Sequence, residues 1–439
     1  MTGNEFLGFL CLAALLTGIF AGFPIAFTLL SLTVLFGYLG LGPRVFDIMV
    51  FQAWGLMREE TLAAVPLFVL MGYLLEQAGL VERLFRGFQY VLARMYGSLY
   101  LGVILTATLF ATATGLVSAS VTLLGIMAGP VMRKSKYDPA LSSGVITAGG
   151  TLGILIPPSV MLVVLGPVVG VSIAKLFAAA IFPGLLLSAL FIVYSLVRSY
   201  LNPALGPPLP PEERPPSFGA ALRELLVGMV PLLLLMVATL GSILAGLATP
   251  TEAAGLGAFG ALALMVAYGR FSLPRLRQAV YRTVVTTSMI MFLLTASNMY
   301  GAIFNRLGTG PFIARGLVQL ELPPLAMLLA LMAVIFLLGW PLEWAPIIFI
   351  FLPIFLPVVE ASKMDPLWFS TLVAVNLQTA FLSPPVAQAA YFLRAVVPEW
   401  SLGQIYVGML QFMVLQVIGL LLVLFFPEIA LWLPRALFG

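Results

Sequence analysis

One pattern occurs twice in this chain. Pro130-Val131, Ser135-Lys136, Asp138-Pro139 and Pro157-Pro158 return as Pro357-Val358, Ser362-Lys363, Asp365-Pro366 and Pro384-Pro385, every time at an offset of 227 residues. A repeat of that length makes the halves two copies of one fold. Each copy interrupts an apolar run with a proline doublet, so each should hold a helix broken at the same place.

The runs are apolar enough to lie in lipid. Of 439 residues, 62% are hydrophobic and only 9% charged, where a soluble domain carries about 25% charged residues. Stretches long enough to cross a bilayer, roughly 20 residues each, recur from end to end. The chain therefore reads as a multi-pass partner of the lipid bilayer with short loops. No basic residue precedes the first apolar run, so that run is expected to be a retained span. The sequence has no histidine, which removes histidine metal sites, haem ligation and histidine acid–base chemistry. Its one cysteine, Cys11, excludes an intramolecular disulfide. The net charge of +4 is modest and gives no sign of nucleic-acid binding.

The apolar pattern places spans at about 5–20, 25–41 and 62–79 in the first half, with a short amphipathic stretch at 44–60. Arginines interleave with apolar residues over 81–97, which suits an interfacial helix. A re-entrant hairpin is expected at 98–131, a broken span at 140–169 and a last span at 173–197. Seven prolines between 202 and 217 mark a stiff linker, taken as 201–218 and joining a first repeat at 1–200 to a second at 219–439. The same offset puts second-half spans at about 232–247, 252–268 and 289–306. It puts a hairpin at 325–358, a broken span at 367–396 and a last span at 400–425. The segments 270–282 and 308–320 should repeat the two interfacial arms.

Each half then has five crossings, because a hairpin leaves on the side it entered. Five is odd, so the second copy must sit upside down. The expected fold is an all-α polytopic membrane protein of two inverted five-span repeats, each with a re-entrant hairpin and a broken helix. With both termini outside, fourteen of the 21 lysines and arginines fall inside, the arrangement that positive-inside bias favours.

A helix that stops in the membrane exposes carbonyls at one end and N–H groups at the other. Carbonyl ends suit a cation and N–H ends an anion; matched breaks in inverted halves point to a secondary transporter, and such a set can hold sodium ions and a carboxylate without any arginine. The first hairpin tip offers Thr114, Gly115, Ser118, Ser120 and Thr122. Three glycines in the run Gly149-Gly150-Thr151-Leu152-Gly153 permit either unwinding or close helix contact. The first half-helix should begin at Ser159, its free N–H groups facing an anion. Glu343, at the second tip, is a carboxylate whose burial in lipid would cost roughly 2.5–3.5 kcal/mol or more and so calls for a cation or a proton; a solvent-facing tip is the competing reading. Asn376, Gln378, Thr379 and Ser383 form the polar face of the second broken span. Arg394 by default snorkels to the interface.

At these residues the chain resembles a known family. The run 149–159, the stretch Ala248-Thr249-Pro250-Thr251-Glu252-Ala253-Ala254, and Asn376-Leu377-Gln378-Thr379 through Ser383-Pro384-Pro385 are similar to the large membrane subunit of tripartite ATP-independent periplasmic (TRAP) transporters. The resemblance spans essentially the whole chain. It implies an elevator mechanism, coupling to a sodium gradient and an organic-acid substrate. It implies two partners, a small four-span membrane subunit and a periplasmic substrate-binding protein, and a place in the bacterial inner membrane. It assigns sodium to Thr114, Gly115, Ser118, Gly149, Gly150, Thr151, Gly153, Glu343, Asn376, Thr379 and Ser383. Ser120, Pro158, Ser159, Gln378, Pro385 and Arg394 are the substrate candidates. The runs 376–379 and 391–394 look like the mannitol/chloroaromatic branch, with its 2-oxo acid and lactate systems. The chain departs from the family at Leu116-Val117, where serine is common, and at Val386-Ala387. A stand-alone sodium/anion symporter of related fold is the alternative. A membrane-embedded enzyme is disfavoured by the missing histidine and the lack of clustered intramembrane acids.

Overall fold

The computed structural model describes residues 2–384 and 386–439, without the side chains of 111–114. The Thr114 side chain and Pro385 therefore lie outside the described residues. Every regular element among the described residues is helical.

In the first half, α1 (Gly3–Phe20) and α2 (Ile25–Leu41) are separated at 21–24, where glycine and proline break the run. An amphipathic α3 (Arg44–Met57) precedes α4 (Ala64–Gln77). The segment Glu60–Gln77 meets α5 (Leu80–Val91) at a 60° bend, which turns the arginine-rich helix away from the span before it. Two antiparallel partners, α6 (Ser98–Thr114) and α7 (Val117–Lys134), form the first hairpin. The broken span is α8 (Pro139–Thr151), a 3₁₀ turn and α9 (Val160–Val169), and α10 (Ile173–Leu201) closes the half.

The second half follows the same order. It comprises α11 (Phe218–Leu244), α12 (Pro250–Ala267), α13 (Leu273–Arg306) and α14 (Thr309–Gln319). Its hairpin runs from α15 (Pro324–Leu338) through the single turn α16 (Trp344–Pro346) and a π-helical stretch into α17 (Leu352–Ala361). Its broken span is α18 (Pro366–Leu377), a 3₁₀ turn and α19 (Gln388–Val396), followed by α20 (Leu402–Phe425) and α21 (Glu428–Phe438). Among the described residues, seven helices are long and apolar enough to cross a bilayer. Several others, α2, α9 and α15 among them, are apolar but shorter.

The duplicated pattern encodes a corner as well as a break. Ser135 and Ser362 end α7 and α17. Lys136 and Lys363 follow in the left-handed conformation, at φ 56° and 53°, a common way to end a helix. Asp138 then caps α8 by accepting from Leu141 N at 2.7 Å, and Asp365 caps α18 from Leu367 N at 2.8 Å. Pro139 and Pro366 take the first helical position, where no N–H is missed.

Four features differ from the sequence expectation. The segment 270–282 is not a separate interfacial arm, because it belongs to the continuous 34-residue α13. The first-half helix α3 ends before the charged run Arg58-Glu59-Glu60, whose counterpart is the uncharged Val285-Thr286-Thr287. α11 starts at the linker and is longer than the span expected at 232–247. α21 had no counterpart in the reading at all.

The densest packing joins helices of the two halves. α4 lies on α12, α5 on α11, and α13 runs across α2 and α4. The broken helices pack across the halves, α8 against α20 and α10 against α18. At the α8–α20 crossing a Cβ on Gly408 would stand 1.9 Å from Ala140 O, and one on Gly144 would stand 2.6 Å from Gly408 O. Only glycine allows these two backbones so close.

Candidate functional site

Each hairpin tip rests on the start of the half-helix in its own half. Gly115 turns the first tip at φ 61°, and a Cβ there would lie 3.2 Å from Val160 N at the start of α9. At the second tip the Glu343 carboxylate accepts a hydrogen bond from the amide of Gln388, the first residue of α19. Between these tips and the pair α2 and α13 lies a chamber of about 690 Å³. Ile25 and Phe27 of α2 and Met289 and Phe292 of α13 form one wall; Leu116, Trp344, Phe381 and Phe392 form the other. Phe27 and Phe292 pack edge to face with centroids 5.2 Å apart. Among the described residues the chamber has one ionisable acid, Glu343, and no lysine or arginine.

Of the residues singled out in the sequence, Gly115, Ser118 and Glu343 line this chamber. The other described candidates do not line it. Ser159 is fully buried and caps α9, accepting from Leu162 N and donating to Ile154 O. Its hydroxyl is thus used by its own backbone. Pro158 O passes 3.7 Å from the Cβ position of Gly115, joining the break to the tip. Ser120 is fully buried in the first turns of α7. Gly149 and Gly150 remain inside α8, where a Cβ on Gly150 would meet Val121 at 2.3 Å and one on Gly149 would meet Ala107 at 3.1 Å, so both allow close helix contact. Gly153 lies in the 3₁₀ turn beyond. Arg394 points elsewhere: its guanidinium donates to the carbonyls of Pro398 and Trp400, ordering the turn after α19.

The two broken spans meet through side chains. Thr151 Oγ1 lies 3.4 Å from Gln378 Oε1 and 2.8 Å from Ala148 O, one proton shared between two acceptors. Gln416 Nε2, from α20, donates to Thr151 Oγ1 at 3.0 Å and to Gln378 Oε1 at 3.4 Å. Nearby, Asn376 Nδ2 donates to Met332 O at 2.7 Å, tying α18 to the second hairpin. Thr379 and Ser383 direct their hydroxyl protons to Asn376 O and Thr379 O, both at 2.7 Å. Their oxygen lone pairs remain to accept. Asn376 Oδ1 and Gln416 Oε1 are buried acceptors with no donor among the described residues. Such hard oxygens, beside interrupted helices, suit a sodium ion as a carried species.

Two chamber residues were missed in the sequence. Gln388 is a lone amide in an apolar stretch just past the second proline doublet, the same signal that drew attention to Asn376. Thr286 carried no comparable signal, because it sits in the run Thr283-Val284-Val285-Thr286-Thr287-Ser288, in which no one hydroxyl stands out.

Broken helices, paired hairpins and a chamber between them in an apolar helical chain define a multi-pass membrane transporter. The chain matches the family described as "Tripartite ATP-independent periplasmic transporter, DctM component" over residues 9–429 and belongs to it. It is a transporter permease subunit and not an enzyme. It is 30% identical to the C4-dicarboxylate TRAP transporter large permease protein DctM of Pseudomonas aeruginosa, over 85% of this chain and 86% of that one. It is 30% identical to the sialic acid TRAP transporter large permease protein SiaM of Vibrio cholerae, over 96% and 97%. The fold is also that of the YdaH transporter of Alcanivorax borkumensis, with a TM-score of 0.65 at 17% identity and coverage of 94% and 97%. MtrF of Neisseria gonorrhoeae aligns at a TM-score of 0.60 and 14% identity, covering 87% of this chain and 83% of that one.

Proposed function

We propose that this chain is the large permease subunit of a sodium-coupled, binding-protein-dependent importer of an organic acid. The observation that carries the reading is the chamber bordered by both hairpin tips, each seated on the start of a half-helix. The names of the relatives support the substrate class, since they specify C4-dicarboxylates, sialic acid and, in Escherichia coli, 2,3-diketo-L-gulonate. Sodium would be held by the oxygens of the tips and broken spans. The substrate carboxylate would enter the chamber between them.

The frame in this reading is α1 to α5 with α11 to α14, and the hairpins, broken spans and final helices of each half slide against it as an elevator. The halves are 1–200 and 219–439, inverted relative to each other and joined by the linker at 201–218. Both termini face the periplasm and the chain sits in the bacterial inner membrane. A small four-span subunit and a periplasmic substrate-binding protein complete the system.

Uptake into proteoliposomes tests this. The reading expects accumulation of an organic acid only with an inward sodium gradient and with both partners present. Accumulation without sodium would refute the coupling. Full activity without the partners would favour a stand-alone symporter.

A further inference from the structure

A second chamber of about 340 Å³ adjoins the first. The two share Ser118 of α7 and Thr286 of α13, so these hydroxyls form the neck between them. The second chamber differs in character. Its wall carries Tyr73, Glu76, Thr122 and Arg282, and Arg282 is the one cation lining either chamber among the described residues. Arg282 Nη1 donates to Glu76 Oε1 at 2.8 Å, and its guanidinium stands 5.9 Å from the centre of the Tyr73 ring. The Tyr73 hydroxyl in turn lies 2.9 Å from Thr286 Oγ1. Arg282 precedes Thr286 by one helical turn of α13, so its charge stands beside the neck.

Resting on the organic-acid reading above, we propose that the two chambers together select a monocarboxylate with a hydrocarbon body. The body lies against the apolar wall of the large chamber, and the carboxylate lies at the Ser118–Thr286 neck, facing Arg282. Hydrocarbon gains by leaving water for a wall built from Phe27, Met289, Phe292, Phe381 and Phe392. A second carboxylate in that chamber would find no lysine or arginine among the described residues and would compete with the Glu343 carboxylate for sodium. Among the described residues of the large chamber, Ser118 and Thr286 at the neck are the hydroxyls that also border the chamber holding Arg282. Glu76 already occupies one side of the guanidinium, so it competes with the substrate for Arg282.

The test measures binding of 4-methylpentanoate, butanedioate and the neutral 4-methylpentanamide to the full chain, purified in nanodiscs with its accompanying subunits. The expected order places 4-methylpentanoate at least tenfold tighter than butanedioate. Arg282→Gln should weaken 4-methylpentanoate about tenfold, and Arg282→Lys should restore most of that loss. Glu76→Gln should tighten it a few-fold, because the competing carboxylate is gone. Neither change should move 4-methylpentanamide. An Arg282–Glu76 pair that merely braces α4 on α13 would make both variants shift affinity in the same direction, and that result overturns the proposal. So does equal or better binding of butanedioate. If the reconstituted complex accumulates diacids regardless of Arg282, the permease reading stands and this inference falls. If it accumulates no acid at all, the permease reading itself falls.

Discussion

Thr151 and Gln378 are counterparts at the repeat offset of 227 residues, and their side-chain oxygens lie 3.4 Å apart. The two copies of the sequence pattern therefore touch at equivalent residues, each at the end of its broken helix. Gln416 bonds to both and seals the contact from α20.

That contact should be stabilising because it is buried. Thr151→Val removes the acceptor for Gln416 and leaves a buried amide without it, a loss of about 1–3 kcal/mol. Adding Gln416→Leu should return part of the loss, since both partners are then apolar. Thermal unfolding of the purified chain and its variants measures this. A double variant less stable than the sum of the two singles would contradict it.

The α8–α20 crossing predicts a steeper effect. Gly408→Val would drive a side chain into Ala140 O, which stands 1.9 Å from the Cβ position. Backbone at that spot cannot yield without separating the helices. The variant should express poorly or unfold well below the parent. Gly403→Ala, with nothing nearer than Ser401 Oγ at 4.0 Å, should behave like the parent.

Glu343 is tied to Gln388 across the second tip and faces the large chamber. Glu343→Gln keeps the size and removes the charge. In reconstituted uptake the sodium concentration for half-activation should rise about tenfold, while thermal stability changes little. Unaltered sodium activation would take Glu343 out of the ion site.

Ser159→Ala removes the N-cap of α9. The loss of its two backbone hydrogen bonds should cost about 0.5–2 kcal/mol of stability. Substrate affinity should fall with it only if the half-helix start faces the substrate, so binding and unfolding measured on the same variant separate the two roles.

Much of this architecture could be read from the chain because broken helices leave local marks. The proline doublets located both interruptions, and the glycine of the first tip, Gly115, lies where the hairpin turns. The corner built by Ser135, Lys136 and Asp138 was visible as a repeat but not as a corner, since a left-handed lysine has no signature of its own. The continuity of α13 depended on an absence, the missing charged run that ends α3 before Glu59. The chamber was harder still. Phe27, Thr286, Phe381 and Gln388 come from four separate elements, and nothing in the spacing of one announces the others. The partners of Arg394 were hidden for a related reason: the carbonyls of Pro398 and Trp400 that it donates to lie in a turn with no sequence mark.

The central claim is that two copies of one fold lie in the membrane in opposite senses. Lys136 and Lys363 occupy the same corner of each copy, so they report on it directly. In a Cys11→Ser background, Lys136→Cys and Lys363→Cys can be labelled from either face of sealed membranes with an impermeant maleimide. The account predicts labelling of Lys136→Cys only from the cytoplasmic face and of Lys363→Cys only from the other. Labelling of both from the same face would contradict it.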